Sequence, residues 1–389
     1  MLLAPLVALT PFAIDTYLPA MPSMAAYFGT SIANISLTIS VFLIGYAIGQ
    51  LVGGPLSELW GRQRFALFGL LVFTACSIGI TQTETLPALI TLRFFQALSG
   101  GFATVVVAAI VRDHFQGKDS ARVFSMIGMI MMLAPLTAPA VGSLMLAWFP
   151  WQGIFFLLSL YAVVMLLLVG FKLPKQAPRT GPKPPLLRHF IDSYGSAFAQ
   201  RASFRHLFAQ ACVSGIMFTF LTSIPFIFMG HFGLDEQVFP FYFAALIGTT
   251  FIVNPINLRL LKHFSRLNIL RGGISLQLLC TTSFALCSYF GFTGIENILP
   301  LMMIVVGCIG FIFSNNLSMY LDYHHKSAAS ANALFGCSTF AAGAILGSIT
   351  GVFHDGTLLP IGIVVFCGNA VGFLLVWTMR TPPEGEAVV

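Results

Sequence analysis

Charge is the scarcest property of this chain. Asp, Glu, Lys and Arg make up 8% of its residues, where a soluble domain carries about 25%. That shortage excludes an ordinary water-soluble globule. Alternation of polar and apolar residues over about ten-residue segments is also missing, which excludes a β-barrel. None of the seven cysteines pairs in C-x-x-C spacing, and all seven fall in apolar runs. They read as small buried hydrophobes rather than disulfides or metal ligands. There is no P-loop, no metal-ligand cluster and no nucleophile constellation, so neither ATP drive nor hydrolysis is expected, and no cofactor. No Lys or Arg precedes Arg62, so the apolar start lacks the basic region of a signal peptide and reads as a first membrane span.

What is there is hydrophobic length. Apolar residues make up 57% of the chain and the mean hydropathy is +0.89. Runs of about 20 or more apolar residues are the length a helix needs to cross a bilayer. They predict an all-α membrane protein with twelve spans, near 2–27, 34–56, 65–82, 86–111, 122–147, 152–172, 206–229, 238–260, 269–290, 298–320, 327–352 and 358–379. One long connection interrupts them. It is basic and Pro-rich, with a surface helix expected near Leu186 to Phe198. The organisation expected is therefore a six-helix bundle over 1–172, a linker over 173–205 and a second six-helix bundle over 206–389. With the N-terminus in the cytoplasm, every Lys and Arg except Arg93 lies on the cytoplasmic side. The positive-inside rule then puts both termini in the cytoplasm. It also accounts for the basic balance without a nucleic-acid partner.

Two charges remain inside the apolar runs. Asp15 lies in the first, in the stretch Asp15-Thr16-Tyr17-Leu18-Pro19-Ala20-Met21-Pro22. A carboxylate at mid-bilayer costs about 2.5–3.5 kcal/mol on insertion scales. Such a group faces a cavity, pairs with a cation or binds a proton. Pro19 and Pro22 loosen the helix beside it. Arg93 lies in the fourth run. It either serves coupling or structure in a polar interior or snorkels toward the outer interface.

Several segments carry a family resemblance. Gly54-Pro55-Leu56-Ser57-Glu58-Leu59-Trp60-Gly61-Arg62-Gln63-Arg64 resembles the signature loop of the major facilitator superfamily, with Glu58 for the usual Asp and Leu59 and Gln63 for usual basic residues. Arg93-Phe94-Phe95-Gln96-Ala97 is similar to the R-x-x-Q-G segment of its proton-coupled members. Arg112 and Asp113 close an "IVRD" ending like that of the Bcr/CflA drug-resistance subfamily. Pro135, Pro139 and Gly142, within Ala134 to Ser143, resemble the antiporter motif of its exporters. Trp151-Gln152-Gly153-Ile154-Phe155 resembles the W-R-x-x-F start of a sixth span.

The resemblance implies two six-helix bundles related by a pseudo-two-fold axis, with a site between them near mid-membrane. It implies proton coupling through Asp15 and Arg93 and a conformational latch of Glu58, Gly61, Arg62, Arg112 and Asp113. Spans one, four, seven and ten would line the cavity, with Tyr17, Gln96, Asn315 and Asn316 as substrate-binding candidates. Interhelical hydrogen bonding is the competing role for those asparagines. The expected function is proton-coupled efflux of small, fairly apolar molecules such as antibiotics across the bacterial cytoplasmic membrane. The expected partners are substrate, protons and lipid, and the expected state a monomer. A dedicated exporter of an endogenous metabolite, such as a siderophore or amino-acid derivative, is the alternative. A non-transporting receptor is a third reading.

Overall fold

In lipid, an apolar run must satisfy its own backbone N–H and C=O groups, and a helix does so locally. The computed structural model describes residues 3–114, 117–173, 194–195, 200–324 and 328–379, with backbone alone at 108–109, 112–114, 117–122, 124–125, 132 and 328–330. No strand occurs among these residues. Among the described residues, twelve helices are long and apolar enough to cross a bilayer. They are α1 Leu3–Tyr27, α2 Ile32–Trp60, α3 Arg62–Ile80, α4 Leu86–His114, α5 Gly117–Leu146, α6 Gln152–Lys172, α7 Phe204–Pro225, α8 Phe239–Leu260, α9 Arg266–Phe290, α10 Ile295–Asp322, α11 Ala328–Val352 and α12 Leu359–Trp377. All twelve expected spans are present. The surface helix expected over 186–198 lies outside the described residues, apart from positions 194 and 195.

Contacts group the chain into two units. One holds α1–α6 together with Thr222–Ala244, and the other holds α7 up to Leu221, α8 from Ala245 and α9–α12. Within the first unit α2 and α3 pack on α4, α3 packs on α6 and α1 packs on α5; within the second, α9 packs on α10 and α12. Large apolar side chains such as Leu71, Phe156, Phe171, Phe241 and Leu279 point outward, as a lipid-facing surface requires. Cys76, Cys280 and Cys308 are buried and Cys212, Cys287 and Cys337 partly so, but Cys367 is exposed. The expectation of burial fails there because α12 turns that apolar position outward.

Small residues set the closest helix pair. A Cβ on Gly45 of α2 would lie 2.5 Å from the Phe94 carbonyl oxygen of α4, and one on Gly101 of α4 would lie 2.9 Å from the Tyr46 carbonyl oxygen. Lipid supplies no hydrophobic drive between helices, so this close approach and its dispersion contacts hold them together. Arg93 and Gln96 sit on the same α4, and the tight α2–α4 seam fixes them in place.

Candidate functional site

The first unit is built around an interruption in α1. The helical segment Leu3–Asp15 ends at the acid, a turn follows at Thr16 and Tyr17, a 3-10 turn spans Leu18–Ala20, and helix resumes over Met21–Tyr27. The prolines explain the break. Pro19 has no N–H for the Asp15 carbonyl, and Pro22 has none for the Leu18 carbonyl. Each proline also sits at the start of the element it opens, where its fixed φ is favourable. Asp15 is 4% exposed, and its Oδ1 has no hydrogen-bond partner. A carboxylate without cation or donor is costly in such a dry interior, whereas the neutral acid is tolerated.

Arg93 does not snorkel. Its side chain is fully buried, and its guanidinium lies 4.3 Å from the centroid of the Tyr17 ring, 4.4 Å from Phe42 and 5.7 Å from Phe155. Its Nη1 donates to the Ala13 carbonyl at 3.0 Å and to Gln96 Oε1 at 2.7 Å. In an unbroken helix that Ala13 carbonyl would accept from Tyr17, so the arginine supplies the donor that the break removes. Arg93 Nε and Nη2 have no partner. Arg93 therefore grips the backbone two residues before Asp15, and the two side chains form no ion pair.

Gly142 of α5 holds the break from another side. A Cβ there would collide with the Thr16 carbonyl oxygen and stand 2.9 Å from the Thr16 carbonyl carbon and 3.1 Å from Pro19 Cγ. Only glycine lets α5 pass this close to the turn after Asp15. Pro135 and Pro139 lie inside the same helix, the first partly buried and the second buried. One residue on from Gly142, Ser143 Oγ donates to the Glu236 carbonyl at 2.5 Å, tying α5 to the loop before α8. Burial, and then the neighbouring Asp235, raise the Glu236 carboxyl above its ordinary range.

Tyr17 and Gln96 are both fully buried and spend their polar groups on protein. The Thr38 hydroxyl donates to the Ile35 carbonyl, so the Tyr17 hydroxyl donates to Thr38 Oγ1 at 2.8 Å. In this conformation neither residue opens to a cavity. Asn315 and Asn316 behave alike in the second unit. Asn315 donates to Asn257 Oδ1 at 2.8 Å. Asn316 donates to the His206 carbonyl at 2.9 Å and to Gln210 Oε1 at 3.2 Å, which leaves its Oδ1 to accept from His206 Nδ1 at 2.8 Å. These are interhelical ties between α10 and its neighbours α8 and α7.

Gly61 turns the chain from α2 into α3 at φ +88, a region that glycine alone enters freely. Exposed Glu58 and half-buried Arg62 flank it. Arg112 and Asp113 occupy the last turn of α4, and their side chains lie outside the described residues. Gln63, which stands where the family has a basic residue, does something the motif did not foretell. Its amide, 6% exposed, donates to the carbonyls of Val169, Gly170 and Leu173 at 3.2, 3.2 and 2.9 Å. It closes the open end of α6. Gln63→Ala is expected to lower the melting temperature in detergent, with about 1–3 kcal/mol lost for the stranded carbonyls; an unchanged melting curve would show that the contact carries no stability.

The second unit has a counterpart that lacks the motif. Arg266 at the start of α9 pairs with Asp322 at 2.9 Å and donates to Ser318 at 2.7 Å, while Asn257 near the end of α8 donates to Ser314 at 3.2 Å. The α8–α9 connection is thus fastened to α10 from both sides. A polar residue a turn before the loop and an arginine just after it were the available signals.

The sequence profile of the Major Facilitator Superfamily matches residues 3–348. The chain is similar to an uncharacterized MFS-type transporter, YdgK, of Bacillus subtilis, with 26% identity over 99% of this chain and 96% of that one. It is similar to a bicyclomycin resistance protein homolog of Haemophilus influenzae, with 28% identity over 90% and 88%, and to the multidrug resistance protein MdtL of Klebsiella pneumoniae, with 26% identity over 97% and 94%. Among solved structures, the xylose transporter XylE from E. coli in a partially occluded inward-open conformation superposes with a TM-score of 0.73 at 12% identity, covering 100% of this chain and 99% of that one. The POT family transporter PepTSo gives 0.73 at 13% identity, over 97% and 96%. Twelve membrane-length helices, an interrupted first helix held by a buried arginine, and a profile match over most of the chain place this protein in the Major Facilitator Superfamily.

Proposed function

We propose that this protein is a proton-coupled exporter that moves small, fairly apolar molecules, antibiotics among them, out of the cell in exchange for protons. One observation carries the reading: the secluded Asp15 carboxyl, with one oxygen unpartnered, on a helix break held by Arg93 and Gly142. Protonated, Asp15 is compatible with its dry surroundings. Deprotonated, it gains from water, from substrate or from the unspent donors of Arg93, and so favours a conformation that supplies one of them. Proton binding on one side of the membrane and release on the other then bias the carrier in turn. Drug export as the class of cargo is supported by relatives named for bicyclomycin and multidrug resistance. The distribution of Lys and Arg supports cytoplasmic termini in the bacterial inner membrane, and the working state is a monomer, each chain holding its own Asp15.

The test is flux in proteoliposomes under an imposed pH gradient, with radiolabelled chloramphenicol, bicyclomycin, ethidium and a ferric siderophore as probes. The expected result is gradient-driven accumulation of more than one unrelated compound. Movement that ignores the gradient would replace antiport by facilitated diffusion. Transport of the siderophore alone would make the protein a dedicated metabolite exporter.

A further inference from the structure

We infer that Ser77 on α3 is a positioning residue for Arg93, acting through the amide of Gln96. The direction of each hydrogen bond follows from the one before it. Ser77 Oγ donates its single hydrogen to the Phe73 carbonyl at 2.8 Å, one turn earlier. Its oxygen is then available only as an acceptor, and Gln96 Nε2 donates to it at 2.7 Å. That is the orientation the donor-only guanidinium also requires, so the amide is anchored at both ends. Gln96 Oε1 is thereby turned toward Arg93 and accepts from Nη1 at 2.7 Å. The same Nη1 reaches the Ala13 carbonyl at 3.0 Å. Ser77, Gln96 and Arg93 are all 0% exposed, so no water competes for these bonds. A backbone carbonyl on α3 thus sets the angle at which a guanidinium on α4 grips the broken end of α1.

The consequence concerns the proton site and rests on the reading of Asp15 as proton carrier. With Nη1 committed to Gln96 and Ala13, Nε and Nη2 have no hydrogen-bond partner, and the guanidinium is tied to the backbone two residues before Asp15. Without the Ser77 hydroxyl, Gln96 Nε2 loses its acceptor and the side chain is no longer held against Arg93. Arg93 is then released to turn toward the carboxyl. The other titratable or charged side chains described on the surrounding helices are Tyr17 and the terminal Tyr27 on α1, Tyr46 and the terminal Glu58 on α2, the terminal Arg62 and Arg64 with Cys76 on α3, and Tyr161 and the terminal Lys172 on α6. The described side chains of α5 include none. Asp15 and Arg93 are therefore the one carboxyl and the one guanidinium among the described side chains in the middle of this unit.

The experiment needs no transported substrate. Purified wild type, Ser77→Ala, Ser77→Thr and Asp15→Asn are melted in detergent across pH 4 to 9, and the difference between wild type and Asp15→Asn isolates the titration of Asp15. Ser77→Ala is expected to move that midpoint to lower pH by about half a unit, roughly a threefold change in the proton equilibrium. Ser77→Thr, which keeps the hydroxyl, is expected to restore it. A Ser77→Ala midpoint equal to wild type, with Asp15→Asn altering the curve, overturns the proposal. If Asp15→Asn and wild type superimpose, the proton-carrier reading falls instead, and a Ser77→Ala by Arg93→Lys melting cycle decides the positioning role. Non-additive shifts support it, because the two side chains communicate only through Gln96; additive shifts overturn it.

Discussion

Asp15→Asn is expected to abolish uphill export while leaving the fold and downhill exchange in place. Asparagine matches the carboxyl in shape and imitates its protonated form, but it cannot release a proton. The wild-type carrier, exchanging one proton per neutral substrate, can hold about a tenfold substrate gradient for each pH unit. A membrane potential of about 100 mV adds roughly 2.3 kcal/mol when one net charge moves inward, about a further fiftyfold. The variant should reach a ratio of about one under the same conditions, since a neutral amide leaves the two gradients uncoupled. Its melting temperature should equal or exceed that of wild type, because the buried charge is gone. Gradient-driven accumulation equal to wild type would remove Asp15 from the coupling mechanism.

Gly142→Val is expected to be nearly as damaging, by a different route. The new Cβ would fall on the Thr16 carbonyl oxygen and within 3.1 Å of Pro19 Cγ. Backbone cannot swing aside as a side-chain tip can, so α1 and α5 must separate. Overpacking of this kind costs about 1–3 kcal/mol, and here the strain falls on the turn that follows Asp15. Transport should drop at least about tenfold, a 1.4 kcal/mol effect, with a lower melting temperature. Gly128→Val on the same helix is the control, since a Cβ at Gly128 meets nothing within 4 Å. Flux from Gly142→Val matching that of the control would show that close α1–α5 contact is not required.

The twelve helices were legible because a bilayer leaves an apolar run no alternative to local hydrogen bonding. Asp15 and Arg93 were legible for the same reason, as charges where the surroundings are apolar. The relation between them was not. Arg93 spends its Nη1 on the Ala13 carbonyl, a partner set by where α4 meets the interrupted α1. The prolines signalled a loosened helix, but no side chain signalled that Arg93 would cap that carbonyl. Gln63 was misread in a similar way. Measured against the motif it looked like a lost basic residue, whereas its partners lie more than a hundred positions away on α6. Asn315 and Asn316 were visible as polar groups in an apolar run, but their partners Asn257, His206 and Gln210 were set by helix packing. Ser77 carried no signal at all, being one small residue among several in α3.

The central claim is that Asp15 gives up a proton as part of the transport cycle, and substrate-induced proton release measures it most directly. Purified protein in weakly buffered detergent solution, with a pH-indicator dye, is mixed with saturating chloramphenicol or with whichever panel compound shows flux. Wild type is expected to release a burst of protons, up to one per chain, largest at a pH where Asp15 is still protonated, and Asp15→Asn none. Equal release from both proteins, or none from wild type at any pH with a compound that it transports, would contradict it.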